Sequence, residues 1–521
     1  MKSCIFLDNE WIYPDSALCE RTVASLHAAR GADVCFQILT DRTLDGDTLF
    51  CAAFTGGQCR ATVYQLLPAH VGENSGPKTH TTTDYESVKH FVTRKAPFDA
   101  YDITRPLDSG VLRAGRVAFF VRVDVPADAI PSEYNEALTL TVGEEAFTVP
   151  VHIKIYHATV PTLADASFHM VNWIYYDKLA KHHDVIPYSE EYYTVLRAYL
   201  KNQLDMRNDY LMIPSGVPIR DENGRVIDFD FSHAEAVGNL ALSMGFRAIM
   251  GGFSARFVVW NKPLVTLLWD RDIDVTSFEG YRQLSLYFKR AWECVQKNGW
   301  QDRYFQCLED EPQFPNSMEY RVVAAICRKH MPGVRIHDPI ESTELGGGPD
   351  VWVVKQAVYE KYQKEYELLQ GMGEEMWIYT CGFPAGATMN RVIDLPLSAS
   401  LLPMWMCYKY NAPGFLHWGY HAHNTDFEKE TCYRTGKNDE KYPAGNSFVV
   451  YPAADGTPWY SVRGHLQRLG AYDYELLHLL GEKDRALALD MVERVCRTFD
   501  DYTDDAALIA DTRRMILEAL G

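Results

Sequence analysis

The chain has 521 residues, enough at about 150 per domain for two to four domains, so a single small module is excluded. Hydrophobic residues make up 47% and charged residues 23%, a mix that builds packed cores rather than a mainly disordered chain. Lys plus Arg number 51 against 70 Asp plus Glu, a formal charge of −19, so phosphate backbones and anionic membrane surfaces are poor partners. The N-terminus MKSCIFLDNEW has one basic residue and an apolar run that stops at Asp8, too short for a signal-peptide core. No stretch approaches a membrane span; Pro396 and Pro403 break the longest candidate, Leu395 to Cys407. Twelve scattered cysteines without a CxxC pair fit reduced thiols, and the chain reads as cytoplasmic.

Residues 1–158 read as all-β. Val117, Phe119, Val121, Val123 and Val125 alternate with other residues, as do Leu138, Leu140 and Val142, and Val149, Val151, Ile153 and Ile155. Period-two alternation marks strands packed on one face, and several in succession suggest a β-sandwich. Pro150 is expected at a sheet edge or bulge.

From about residue 159 the period changes. Candidate strands are Ser167–Ile174, Asp209–Ile213, Arg247–Gly252, Arg303–Leu308, Val334–His337, Asp350–Val354, Glu375–Thr380 and Gly414–Trp418. Helical segments lie between them at Ser189–Leu204, Ser232–Met244, Ser277–Lys297, Asn316–His330, Val358–Gln370 and Ser398–Tyr410, with Ser189 and Ser277 placed as N-caps. This order predicts a (β/α)8 TIM-like barrel over residues 159–424, with a doubly wound sheet as the alternative. The connection Asp338–Pro349 is too short for a full helix. Residues 425–521 read as a small extension of loop, a strand near Ser447–Tyr451 and helices from Ser461, packed on the barrel. The expected class is thus multidomain, all-β plus α/β.

In a barrel, catalytic groups sit at the carboxyl ends of the strands. The fourth strand runs directly into Glu309-Asp310-Glu311-Pro312, three carboxylates that folding does not require there. Neighbouring strand side chains diverge, so a joint role for Asp310 and Glu311 requires the chain to leave β geometry between them. A solvated acidic loop is the plain alternative. Paired carboxylates suit glycoside hydrolysis, one donating a proton and one stabilising positive charge. Adjacent acids leave no room for an opposed acid and nucleophile. They suit substrate assistance, in which a 2-acetamido oxygen attacks the anomeric carbon.

Leu308-Glu309-Asp310-Glu311-Pro312 resembles the Asp-Glu-Pro signature of glycoside hydrolase family 123. Trp377–Pro384, Phe415–Gly419, Ser461-Val462-Arg463 and Tyr472–Glu475 are similar to the domain of unknown function associated with that family, and Val149–Tyr156 to the end of its N-terminal sandwich. The resemblance implies a sandwich, a catalytic barrel and β-N-acetylgalactosaminidase activity by substrate assistance. Asp310 would then stabilise the oxazolinium-like intermediate and Glu311 would act as acid and base. Glu309 is expected either to raise the Glu311 pKa by like charge or to face solvent.

Other strand ends offer a sugar pocket: Asn172 and Trp173, His337 and Asp338, Trp352, Tyr379 for the acetamido carbonyl, and Trp418 as a stacking floor. Each has ordinary barrel packing as its alternative. His421 and His423, or His182 and His183, lack a third metal ligand, and Cys381 lacks a partner base, so surface or core roles are expected. Ser215-Gly216 and the glycines at 346–348 form no phosphate loop. The expectation is a soluble glycosidase with a carbohydrate substrate and no metal or cofactor. Its rivals are a glycosidase using Glu309 or Asp338 as a conventional nucleophile, and a non-catalytic carbohydrate-binding protein.

Overall fold

A computed structural model describes residues 1–107, 110–423, 427, 429–435 and 440–521. Part of the polar run expected from Asn424 onward lies outside the described residues. The chain divides into two compact units: residues 1–168, 382–410 and 419–521, and residues 169–381 with 411–418.

Among the described residues the first unit holds two large sheets, besides two short two-stranded ones, Asn74–Ser75 with Thr81–Thr82 and Tyr433–Arg434 with Lys441–Tyr442. One has seven strands in the order Ser3–Leu7, Asp33–Leu44, Gly115–Asp124, Arg60–Val71, Phe98–Pro106, Pro458–Ser461, Val450–Pro452. The other has five, in the order Ala24–Arg30, Glu145–Thr159, Glu133–Val142, Thr48–Phe54, Val111–Leu112. The apolar rows read from the sequence meet in one core: Phe119, Val121 and Val123 from the first sheet, Leu138, Leu140, Val151 and Ile153 from the second. Pro150 departs from expectation, since its strand is interior to the five-stranded sheet. Its opposite residue Ala137 bonds Thr55 on the far side, and the parallel neighbour starts only at the Val151–Ala24 pair. The missing N–H therefore falls where no ladder bond is due.

The C-terminal segment returns to the first sheet through Pro458–Ser461, which pairs with Phe98–Pro106. Ser461 then caps the helix Val462–Lys483 by accepting from Gly464 N. At the second residue of that helix, the fully buried Arg463 guanidinium donates to both oxygens of Asp102 and to the carbonyls of Gly445 and Phe448.

The second unit contains all eight expected strands, now His169–Asn172, Tyr210–Met212, Ala248–Gly251, Tyr304–Gln306, Arg335–Ile340, Val351–Lys355, Glu375–Thr380 and Gly414–His417. They form one parallel sheet, in which each strand from the second onward is hydrogen-bonded to the next and the last is bonded to the first. The barrel is nearly closed. At the seam between the first two strands, Asp209 accepts from Met170 N at 3.1 Å and contacts His169 Nδ1 at 2.7 Å, standing in for a ladder. Ser189 and Ser277 cap their helices as expected. The segment after the fifth strand is turns only. Two insertions had no periodic signal strong enough to register: the hairpin Val217–Arg220 with Val226–Asp230, and a three-stranded sheet of Ala255–Phe257, Val265–Leu267 and Asp270–Asp274.

The turn after the fourth strand hangs on the end of the fifth. Leu308 N donates to the Asp338 carboxylate at 2.8 Å, Glu311 N to Pro339 O at 3.1 Å, and Glu341 N to Pro312 O at 3.2 Å. Tyr320, from the following helix Ser317–His330, donates its hydroxyl to Asp338 at 2.9 Å. Asp338→Ala leaves two buried donors without their acceptor and is expected to cost about 2–3 kcal/mol. Thermal denaturation together with kcat checks this: both fall if Asp338 anchors the turn, whereas an unchanged melting temperature contradicts the anchoring role.

Candidate active site

The fourth strand ends at Gln306, and at Glu311 the backbone is out of β geometry. Glu311 has φ +54°, in the left-handed region that non-glycine residues rarely occupy, at a cost of roughly 1–2 kcal/mol. Strained positions of this kind persist where surrounding contacts over-determine them, here the pair of bonds to Pro339 and Pro312. The strict alternation that would part Asp310 from Glu311 is thereby broken. Both side chains are half-buried, unlike the fully buried residues before and after them.

Glu311 is held through one oxygen. Its Oε1 accepts from the Tyr379 hydroxyl, lies 2.9 Å from Lys355 Nζ, and has Cys381 Sγ at 3.8 Å. Lys355 is 2% exposed and also forms an ion pair with Glu341, whose other oxygen takes a bond of 3.4 Å from Gln313 Nε2. The Lys355 ammonium further lies 5.5 Å from the Tyr379 ring and 5.6 Å from that of Trp260, a half-exposed residue between two strands of the three-stranded insertion. Asp310 has its carboxyl pushed up to about 7, by burial first and by the neighbouring Glu311 charge second, with Lys355 acting against both. Burial raises the Tyr379 hydroxyl well above its usual range, so it stays a donor.

Glu309 does not face solvent. It is fully buried, neither oxygen has a hydrogen-bond partner among the described residues, and burial, with Asp338 and Asp310 nearby, pushes its carboxyl well above the usual range. Strand parity sorts the other candidates. Val171, Trp173, Val351, Val353, Trp377, Tyr379 and Leu416 fill the barrel interior, with the half-exposed Phe253, Cys381 and Trp418 in the same cluster. Trp173 and Trp418 thus share that cluster with Tyr379. Asn172 and Trp352 belong to the opposite parity. Asn172 is bonded to Asn208, with its carbonyl taken by Gln203, and Trp352 donates to Glu374, so neither is brought to Glu311. Asp338 is occupied with Leu308 and Tyr320. His337 is interior but too deep. It is fully enclosed, its ring 4.7 Å from Trp377, and burial lowers its pKa to about 4.

Lys355, Glu341 and Trp260 escaped the sequence reading. The first had a signal: the apolar run Val351–Val354 ends in a lone lysine at the carboxyl end of a strand, in step with the inward Val351 and Val353. The histidines of the alternative constellations are structural. His423 bonds Val450 O and stacks on Phe448, and His183 bonds the Tyr199 hydroxyl. Among the described residues no group of His, Cys, Asp and Glu is arranged to hold a metal ion, and no helix is long and apolar enough to cross a membrane.

A family 123 glycoside hydrolase from Clostridium perfringens, described for glycolipid glycan hydrolysis, has a similar structure, with a TM-score of 0.74 at 14% identity over 100% of this chain and 98% of that one. Weaker likenesses are a Bacteroides uniformis β-glucuronidase (TM-score 0.32, 9% identity, 88% of this chain and 51% of that one) and a β-galactosidase from Marinomonas ef1 (0.38, 9%, 63% and 62%). These two carry no weight beyond that. No curated protein matches the chain by sequence. The catalytic domain of glycoside hydrolase 123 matches residues 173–480, well over half of the chain and inclusive of every barrel strand but the first. The chain therefore belongs to glycoside hydrolase family 123 and is a glycoside hydrolase.

Proposed function

We propose that the enzyme removes a terminal β-linked 2-acetamido sugar, N-acetylgalactosamine, from a glycan or glycoconjugate, with retention and by substrate assistance. What supports this reading is the left-handed Glu311 directly after Asp310, two half-buried acids of which the first feels the charge of the second. The choice of sugar rests on the family resemblance, and that of a glycan on the C. perfringens neighbour, whose substrates are glycolipid glycans.

The acetamido carbonyl oxygen attacks the anomeric carbon as the bond to the leaving oxygen breaks. Because Tyr379, Lys355 and Cys381 all address Oε1, the acid proton of Glu311 sits on Oε2, and it passes to the leaving oxygen. The Asp310 carboxylate accepts from the amide N–H and stabilises the positive charge spread over the oxazolinium ring. Glu311, now ionised, takes a proton from water; the water oxygen bonds the anomeric carbon and the ring reopens. Tyr379 orients Glu311 in this scheme, in place of the acetamido contact expected from sequence. A conventional nucleophile finds less support, since Glu309 is fully buried with its carboxyl pushed up and Asp338 is committed to the turn.

Three outcomes test this. An aryl β-glycoside with a 2-acetamido group is cleaved and its 2-hydroxyl counterpart is not; cleavage of the 2-hydroxyl compound alone contradicts substrate assistance. Asp310→Asn and Glu311→Gln each lower kcat/KM by about 10²- to 10⁴-fold on a poor leaving group, and only Glu311→Gln recovers on an activated one. The third concerns stability. The folded state favours protonated Asp310, so that stabilisation is complete at acid pH and is lost as pH rises through about 7. Asp310→Asn is accordingly expected to melt higher than the parent at pH 8, the gap narrowing toward pH 5; equal melting at both pH values contradicts a raised Asp310.

A further inference from the structure

The ion pairs around Lys355 show a device that the mechanism above leaves unused. An acid catalyst must hold its proton when substrate binds, and Glu311 has a buried ammonium 2.9 Å from its Oε1. That ammonium is shared with Glu341, which reaches it from the turn segment following the fifth strand. The groups facing this place are Asp310 and Glu311 from the fourth-strand turn, Glu341 from the fifth, Lys355 from the sixth, and Tyr379 and Cys381 from the seventh. One cation thus meets three carboxyl groups, and at least one proton is needed to relieve the excess negative charge.

We propose that Glu341 and Lys355 are positioning residues that decide when Glu311 holds a proton, Glu341 drawing off the ammonium while Glu311 is an acid and releasing it to Glu311 once the proton has gone. When Glu311 is neutral, Lys355 remains neutralised by Glu341 and no bare cation is left in the pocket. When the proton leaves with the aglycone, the new carboxylate regains the ammonium and stays ionised until water must be deprotonated. No atom other than that proton is transferred, so the two residues change the proton affinity of Glu311 and not the course of the reaction. The Trp260 ring over Lys355 keeps the ammonium on this path, since its face tolerates a cation at either end.

The inference rests on Glu311 being the acid and base, and the test separates the two. The pH profile of kcat/KM on a poor leaving group has a basic limb where Glu311 loses its proton. Glu341→Gln leaves the full Lys355 charge on Glu311 and Asp310, and is expected to move that limb down by about one pH unit. Lys355→Met removes the charge and is expected to move it up by a similar amount. Melting curves verify that both variants fold; Glu341→Asp and Lys355→Arg, which keep the charges, should restore the parental limb if either neutral variant fails to fold. A role in packing alone would lower the rate without moving the limb, or would move it the same way in both variants, and either result overturns the proposal. If the limb instead persists unchanged in Glu311→Gln, it never belonged to Glu311, and the acid–base assignment itself fails.

Discussion

Everything at this site depends on how the backbone after the fourth strand is pinned to the fifth. Three main-chain N–H groups in that region, on Leu308, Glu311 and Glu341, each find an acceptor across the gap between the two strands. These bonds hold Glu311 in a conformation it would not otherwise adopt. The strain is small beside the contacts that impose it, and it turns two successive residues, which a strand would send apart, into a pair. Asp338 belongs to the same device: a buried acid that accepts from Leu308 N and the Tyr320 hydroxyl and so anchors the turn.

The electrostatics follow from that placement. Bringing carboxyl groups together in a half-buried pocket raises their proton affinity, which is seen for Asp310. Glu309, fully buried, has its carboxyl raised in the same direction by burial and by Asp338 and Asp310. The ammonium of Lys355 opposes this, and it pairs with both Glu311 and Glu341. A site of this kind holds charges poised near neutrality of the pair instead of fixing each one, which is what an acid that must become a base within one turnover requires.

Much of the fold was legible because the physics is periodic. Inward rows such as Phe119, Val121 and Val123 declare a half-buried strand, and eight short apolar runs separated by amphipathic segments declare a barrel. The acid pair stood out because charges cost energy at a strand end unless they serve something. What failed was the assignment of facing. Choosing residues by nearness to a strand end selected Asn172 and Trp352 although parity with Val171 and Val353 sends them to the helices. The same rule applied strictly would have found Lys355. Glu341 and Trp260 were out of reach, since both lie in segments without a period, where only the tertiary path of the chain brings them to the site.

The central claim is that the substrate's own amide attacks. A series of aryl β-glycosides whose 2-acetamido methyl carries none, one, two or three fluorine atoms weakens that nucleophile stepwise while leaving the leaving group and sugar ring unaltered. The account predicts that log kcat falls steeply and linearly along the series. A flat series would mean that a group of the protein, and not the acetamido oxygen, forms the new bond.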